Sequence, residues 1–173
     1  MAFVIAGLVL VGALCLVNLL LLTGIRRKLR GRGGQLSGPK PGRPMPDFSA
    51  TTLSGRTIGR ADLLGRPAVL AFLSTSCPTC PTLVPHLVEH ARSTGLTADR
   101  MVVVIAGDES AAEALAEPLA GVASVVVEPS VGELTRAFSV STTPTTVLVD
   151  AEGKVARTET GPRPLADMER AGI

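Results

Sequence analysis

The stretch Pro67-Ala68-Val69-Leu70-Ala71-Phe72-Leu73-Ser74-Thr75-Ser76-Cys77-Pro78-Thr79-Cys80 begins as an unbroken apolar run and ends on two cysteines separated by two residues. The apolar part, Pro67 to Leu73, reads as a strand buried on both faces, as in a sheet covered by helices. A helix is expected to follow from about Cys77 to Ser93. A helix N-terminus carries unpaired N–H groups and partial positive charge, which stabilise a thiolate on the first cysteine. The thiolate is the attacking species in disulfide exchange. A second thiol one turn further on can attack the resulting mixed disulfide and release the partner. Cys77 is therefore expected to be the exposed nucleophile and Cys80 the more buried resolving thiol, with Pro78 suited to the first helical turn. This chemistry needs no bound cofactor, because the cysteine pair itself carries the electrons.

Other uses of the same residues are weaker. Cys77, Cys80, His86 and His90 superficially form a zinc-ligand series. On one helix, at about 1.5 Å rise per residue, His90 falls roughly 20 Å from Cys77. Zinc ligands meet within about 4 Å of one another, so these four cannot share an ion. His86-Leu87-Val88-Glu89-His90 matches the inverted zincin pattern, but nothing nearby offers a third ligand on a peptidase scaffold. Both histidines read as ordinary helix-surface residues, and no metal is expected. A purely structural disulfide does not suit a strand-to-helix junction.

Around this core the chain alternates strand and helix. Phe48–Thr51 and Arg56–Ile58 suggest a hairpin. Met101–Ala106 is a second fully apolar strand, Glu109–Leu119 has helical composition, and Val122–Val127 is strand-like. A short helix fits Val131–Phe138. Thr145–Asp150, a turn at Glu152-Gly153 and Lys154–Thr160 form a closing hairpin, and a short last helix begins near Pro164. The expected class is α/β, with a central mixed sheet flanked by helices.

The N-terminus is of another kind. Ala2 to Leu22 carries no charge, and Asn18 is its only strongly polar side chain. It is long enough to cross about 30 Å of hydrocarbon as a helix. No Lys or Arg precedes it and Arg26-Arg27-Lys28 follows it, which favours a retained anchor over a cleaved signal peptide. Cys15, inside that span, reads as an apolar filler. Residues Gly31 to Pro46 alternate Gly and Pro, cannot bury enough surface to fold, and read as a tether. The expected organisation is an anchor at 1–24, a basic flank and linker at 25–44, and a folded domain at 45–173.

Composition narrows the partners. The hydrophobic share is 46% and the aromatic share 2%, with no Trp or Tyr, so aliphatic side chains must build the core. The same scarcity argues against a base-stacking nucleic-acid surface. The net charge of +2 hides a segregation: beyond Lys40, 11 basic residues face 15 acidic ones. A domain near −4 gives no reason to expect nucleic-acid binding.

Further residues carry a resemblance. Pro67 to Arg92 resembles the active-site strand and helix of thioredoxin-like proteins, with Pro85 matching the proline that kinks that helix. Thr142-Thr143-Pro144-Thr145-Thr146-Val147 resembles the loop bearing that superfamily's cis-proline, and Asp150-Ala151-Glu152-Gly153-Lys154-Val155 its final hairpin. Within the superfamily the chain is similar to membrane-anchored oxidoreductases of the TlpA and MauD kind, relatives of the AhpC/TSA domains. The residues that carry this likeness are the apolar N-terminal helix, Pro46-Asp47-Phe48, and Phe72-Leu73-Ser74 leading into the cysteines. The resemblance spans about Met45 to Thr160. It implies a thioredoxin-like fold and a protein thiol–disulfide oxidoreductase, served by a protein client and a redox partner protein. It also implies that Thr143 and Pro144 receive the client chain beside the cysteines. Proteins of the MauD kind are associated with maturing a disulfide-rich dehydrogenase subunit.

Four positions depart from the pattern of thioredoxin itself. Ser76 replaces the Trp before the first cysteine, Ala71 stands where a buried acid assists proton transfer, and Pro78-Thr79 replaces Gly-Pro between the cysteines. Ser76, Pro78 and Thr79 are thus expected to tune the pair. A peroxiredoxin-type thiol peroxidase is the nearest rival, but Leu70 and Ser74 occupy its motif's Pro and Thr positions. A redox-inert tethered adaptor would not need the cysteines with Thr143-Pro144. As for sidedness, the five basic residues from Arg26 to Arg32 place the domain in the cytoplasm by the positive-inside rule, whereas the resemblance implies the outer face.

Overall fold

The structure, a computed structural model, describes residues 37–162 and, beyond them, Met1, Ile5, Gly12, Leu14 and Leu165. The chain divides into two compact units, residues 1–35 and 36–173, and the fold described below belongs to the second. The predicted anchor at 1–24, the basic flank and the final helix therefore lie almost wholly outside the described residues. Among the described residues no helix is long and apolar enough to cross a membrane.

Among the described residues, seven strands form two sheets. β1 (Ser49–Thr51) and β2 (Thr57–Gly59) make a small antiparallel hairpin. β3 (Ala68–Ser74), β4 (Met101–Ala106), β5 (Ser124–Glu128), β6 (Thr145–Val149) and β7 (Val155–Thr160) make the main sheet, in the order β5-β4-β3-β6-β7. β3, β4 and β5 run parallel, while β6 and β7 are antiparallel to their neighbours. The central mixed sheet is as expected. The two parallel connections are helical: α1 (Cys80–Thr94) joins β3 to β4, and α2 (Glu109–Ala116), capped by the Asp108 side chain, joins β4 to β5.

Alternation along each strand divides the core between the two faces. Val69, Ala71, Leu73, Val103 and Ile105 pack with Leu83, Val84 and Leu87 of α1 and Ala112 and Ala116 of α2. Ala68, Leu70, Phe72, Val102 and Val104 pack on the other face with Ile58, Phe138 and the N-terminal residues Met45 and Phe48. That second layer includes α3 (Glu133–Ala137), whose first amides, Leu134 N–H and Thr135 N–H, donate to the buried Glu128 carboxylate at 3.0 Å each. The rings of Phe48, Phe72 and Phe138 meet there, with Phe138 between the other two at centroid distances of 5.7 and 5.3 Å.

Three expectations are corrected. The helix begins at Cys80, not Cys77, with Thr79 as its N-cap. Cys77 precedes a proline, and that neighbour disfavours the helical region. His90 is buried, not on the surface, because it falls on the same stripe of α1 as Leu83 and Leu87. Residues 37–46 are not a free tether. Met45 is buried, Gly42 and Met45 N–H donate to Val155 and Gly153 carbonyls, and Pro44 bridges to Lys154. Their Gly and Pro residues serve a close run along the β6–β7 hairpin, where backbone partners replace an apolar core. A 3-10 turn at Arg60–Leu63, not foreseen, carries the buried Leu63 beneath the sheet.

Leu87 is fully buried at the centre of the α1 contact. Leu87→Ala is expected to lower stability by about 2–5 kcal/mol, the usual cost of truncating a buried leucine. Urea denaturation followed by far-UV circular dichroism measures it, since the chain has no Trp or Tyr. A loss under about 1 kcal/mol would show that α1 is not seated on the sheet this way.

Candidate active site

β3 ends at Ser74 in the middle of the sheet, and the chain turns there before entering α1. The turn is tied at both ends. Thr75 N–H donates to Ala106 carbonyl at 3.0 Å, Cys77 N–H to Ser74 carbonyl at 3.2 Å, and Cys80 N–H to Cys77 carbonyl at 3.2 Å. Thr75 sits so close to Gly107 that a Cβ there would lie 2.0 Å from the Thr75 hydroxyl, and Gly107 has φ +136°. Only glycine leaves room for this approach. Pro78 occupies the turn rather than the first helical turn, and Pro81 takes the early helical position where a missing N–H costs little. Pro85 lies inside α1, as expected.

The loop before β6 arrives at the same place. β6 pairs antiparallel with β3 up to Phe72↔Thr145, so the residues just ahead of Thr145 lie beside the end of β3. The Thr143–Pro144 peptide is cis. Thr143 carbonyl accepts from the Cys77 thiol at 3.3 Å. The structure thus brings together Cys77, Cys80, Thr79, Thr143 and Pro144, all named from the sequence. Ser76 is exposed and bonds only locally, its hydroxyl 2.9 Å from that of Ser74.

The two thiols occupy unlike surroundings. Cys77 is half-buried and its sulfur lies 3.4 Å from the Thr79 hydroxyl. Its partial burial pushes the pKa up, but hydrogen bonds from Cys80, Thr79 and Thr143 to the thiolate outweigh that. The pKa falls from 9.0 to about 7. The Thr143 carbonyl is an acceptor and favours the neutral thiol, so the lowering comes from the hydroxyl and thiol donors and from the Thr79 backbone N–H. Cys80 is fully buried, with Ser74 N–H donating to its sulfur at 3.4 Å. Burial first, and then the neighbouring Cys77, push its pKa up to about 12. The arrangement provides one thiolate near neutral pH facing solvent and one protonated thiol behind it.

Ala71 is fully buried on the face of the sheet that packs against Cys80, so no carboxylate stands at that position. Among the described residues no group of three or more His, Cys, Asp or Glu side chains is placed to hold a metal. One residue at the site escaped sequence reasoning. Ser37, in the Gly/Pro-rich run, bonds to the loop that carries Thr143. Nothing in its local sequence distinguishes it, because its partners lie more than a hundred residues away.

Comparison with known proteins gives the family and the fold. A family model described as Redoxin matches residues 40–171. The methylamine utilization protein MauD of Methylobacillus flagellatus is 36% identical over 124 residues, covering 68% of this chain and 56% of the relative. The thiol-disulfide oxidoreductase ResA of Bacillus subtilis is 31% identical over 123 residues, covering 69% of this chain and 67% of the relative. The chain thus spans a little over half the length of that MauD relative. Among solved structures, MTB dsbF superposes with a TM-score of 0.62 at 27% identity, over 72% of this chain and 92% of that one. The thioredoxin domain of a thiol-disulfide oxidoreductase from Bacteroides vulgatus superposes with a TM-score of 0.64 at 19% identity, over 77% and 97%. The fold is thioredoxin-like.

The Cys77 surroundings predict a pH profile. Alkylation of Cys77 by iodoacetamide should rise with pH to a midpoint near about 7 and then level off. The Thr79 hydroxyl stabilises the charged form, so Thr79→Val should move the midpoint upward, toward the ordinary 9.0. A midpoint unchanged or lowered in Thr79→Val would refute that role for the hydroxyl.

Proposed function

The chain belongs to the Redoxin family, and from that premise we propose that it is a thiol–disulfide oxidoreductase acting on protein disulfides through Cys77 and Cys80. The observation that carries this reading is the contrast between the two sulfurs: one half-exposed with a pKa near about 7, the other buried and held at about 12. Fold alone would not carry it, because one fold serves many chemistries.

The steps follow from the geometry. The Cys77 thiolate attacks one sulfur of the client disulfide. A mixed disulfide forms and the client's other sulfur leaves as a thiolate, which takes up a proton. The client chain lies along Thr143 and Pro144, beside the attacked sulfur. Cys80 then loses its proton and attacks the Cys77 sulfur, forming the Cys77–Cys80 disulfide and releasing the client's second thiolate. Its raised pKa falls once Cys77 is bonded and uncharged, since that removes a neighbouring negative charge. Two electrons pass to the client, and a redox partner protein restores the pair. Read backwards, the same steps oxidise a client dithiol, and the potential of the pair sets the favoured direction. Ser76, Pro78 and Thr79 tune that potential from within and beside the turn.

Residues 2–22 tether this domain to the membrane. The basic flank from Arg26 to Arg32 places it on the cytoplasmic side, where the pair would rest reduced. The resemblance to oxidoreductases of the TlpA and MauD kind implies the opposite face. Exposing intact cells to a membrane-impermeant maleimide distinguishes the two: Cys77 should stay unmodified until lysis, and labelling without lysis refutes the cytoplasmic placement.

The activity is tested on the purified chain. Wild type should reduce insulin in the presence of a thiol donor and consume peroxide no faster than the donor alone. Cys77→Ser should abolish insulin reduction, while Cys80→Ser should accumulate a mixed disulfide visible as a gel shift. Peroxide consumption without insulin reduction would favour the peroxidase, and neither activity the adaptor. Faster alkylation of Cys80 than of Cys77 would reverse the assigned roles.

A further inference from the structure

The Ser37 side chain is buried, with the residue only 3% exposed, and it spends its hydrogen-bonding capacity on one loop. Its Oγ accepts from Ser141 N–H at 2.9 Å and from Thr142 N–H at 2.8 Å, and donates to Thr142 carbonyl at 3.2 Å. A hydroxyl has one proton to donate and two lone pairs to accept with, so all three are used. The loop so held runs directly into Thr143, whose carbonyl lies 3.3 Å from the Cys77 sulfur. Thr142 carbonyl also accepts from Thr145 Oγ1 at 2.7 Å, so Ser37 joins a network that spans both sides of Pro144.

The segment bearing Ser37 is itself seated. Gly38 N–H donates to Ser139 carbonyl at 3.1 Å, and Thr158 Oγ1 donates to Pro39 carbonyl at 2.6 Å. Gly38 has φ +115°, and a Cβ there would lie 2.9 Å from Thr158 Cγ2. The chain thus passes over β7 at a distance that only glycine permits, and this delivers the serine to the loop.

We propose that Ser37 is a positioning residue for disulfide exchange: it holds Thr142 and Thr143 where a client chain is received beside Cys77, and acts only through that loop. This rests on the reading of Cys77 and Thr143 given above. Without the hydroxyl, two loop amides lose their acceptor. The receiving edge then shifts relative to the attacking sulfur, and a displacement of about 1 Å at a reacting pair can cost up to about a hundredfold in rate.

The test compares the full-length wild type with Ser37→Ala and Ser37→Thr. Ser37→Ala should lower kcat/KM for insulin reduction by about tenfold or more. Alkylation of Cys77 by iodoacetamide, a small reagent that needs no receiving loop, should stay within about twofold of wild type, a change that equals only a few tenths of a kcal/mol. Ser37→Thr retains the hydroxyl and should recover insulin reduction. Independently of any activity, amide hydrogen exchange at Ser141 and Thr142 should quicken by about tenfold in Ser37→Ala, the loss expected for one hydrogen bond. Unchanged protection of those two amides overturns the clamp. So does insulin reduction at the wild-type rate in Ser37→Ala, a parallel loss of insulin reduction and alkylation, or failure of Ser37→Thr to recover. An inactive wild type with faster amide exchange in Ser37→Ala instead overturns the oxidoreductase reading and leaves the clamp standing as the loop's support.

Discussion

Antiparallel pairing of β6 with β3 brings a loop remote in sequence against the turn that carries Cys77. The register ends at Phe72↔Thr145, and the chain immediately before Thr145 is the Thr143-Pro144 segment. A slip of one residue would turn Val147 and Val149 away from the Phe72 and Phe138 layer, because side chains alternate between faces. The apolar core therefore defends the register, and the register sets where Thr143 stands relative to the sulfur. Stability and chemistry share one constraint here.

The contrast between the two cysteines follows from the same placement. Cys77 lies in the turn, where solvent and hydroxyl groups from Thr79 and Thr143 reach its sulfur. Cys80 is the first residue of α1 and points into the layer with Leu83, Leu87 and Ala71. Two residues of chain separate a group whose charged form is stabilised from one whose charged form is opposed by burial. The turn between β3 and α1 provides this separation, since it leaves the first sulfur ahead of the helix and brings the second to its first residue, facing inward. In a domain with almost no aromatic residues, aliphatic packing supplies the desolvation that holds Cys80 neutral.

The departures from thioredoxin bear on the same point. Ala71 leaves the layer beside Cys80 without a buried acid, so the resolving proton has no carboxylate at that position to receive it. Ser76, exposed and bonded to Ser74, offers a polar and small surface where a Trp would present a large apolar one. These differences change the side chains beside Cys77 and remove a proton acceptor beside Cys80, while the thioredoxin-like fold is kept. Membership in the family therefore identifies the chemistry more closely than it identifies the client.

Much of this was legible in the residues. The runs Ala68–Leu73, Met101–Ala106 and Val125–Val127 are apolar without interruption, and such runs are strands when sheet faces are covered on both sides. The spacing of Cys77 and Cys80 at a strand end, and the Thr143-Pro144 loop before a last hairpin, marked the site. Local rules fell short where a partner far along the chain decides the outcome. Residues 37–46 have the composition of a linker, yet backbone partners at Val155, Gly153 and Ser139 seat them in the domain. His90 reads in the sequence as an ordinary helix-surface residue, but the stripe of α1 that it shares with Leu87 faces the sheet. By itself the sequence determined which segments are strands and helices, and which two sulfurs can act together, because periodicity and spacing are local. Only the tertiary structure decided that Ser37 grips the Thr142 loop and that the two sulfurs differ so widely in acidity. Hydrogen-bond partners and burial depend on what the folded chain places nearby, which no local pattern encodes.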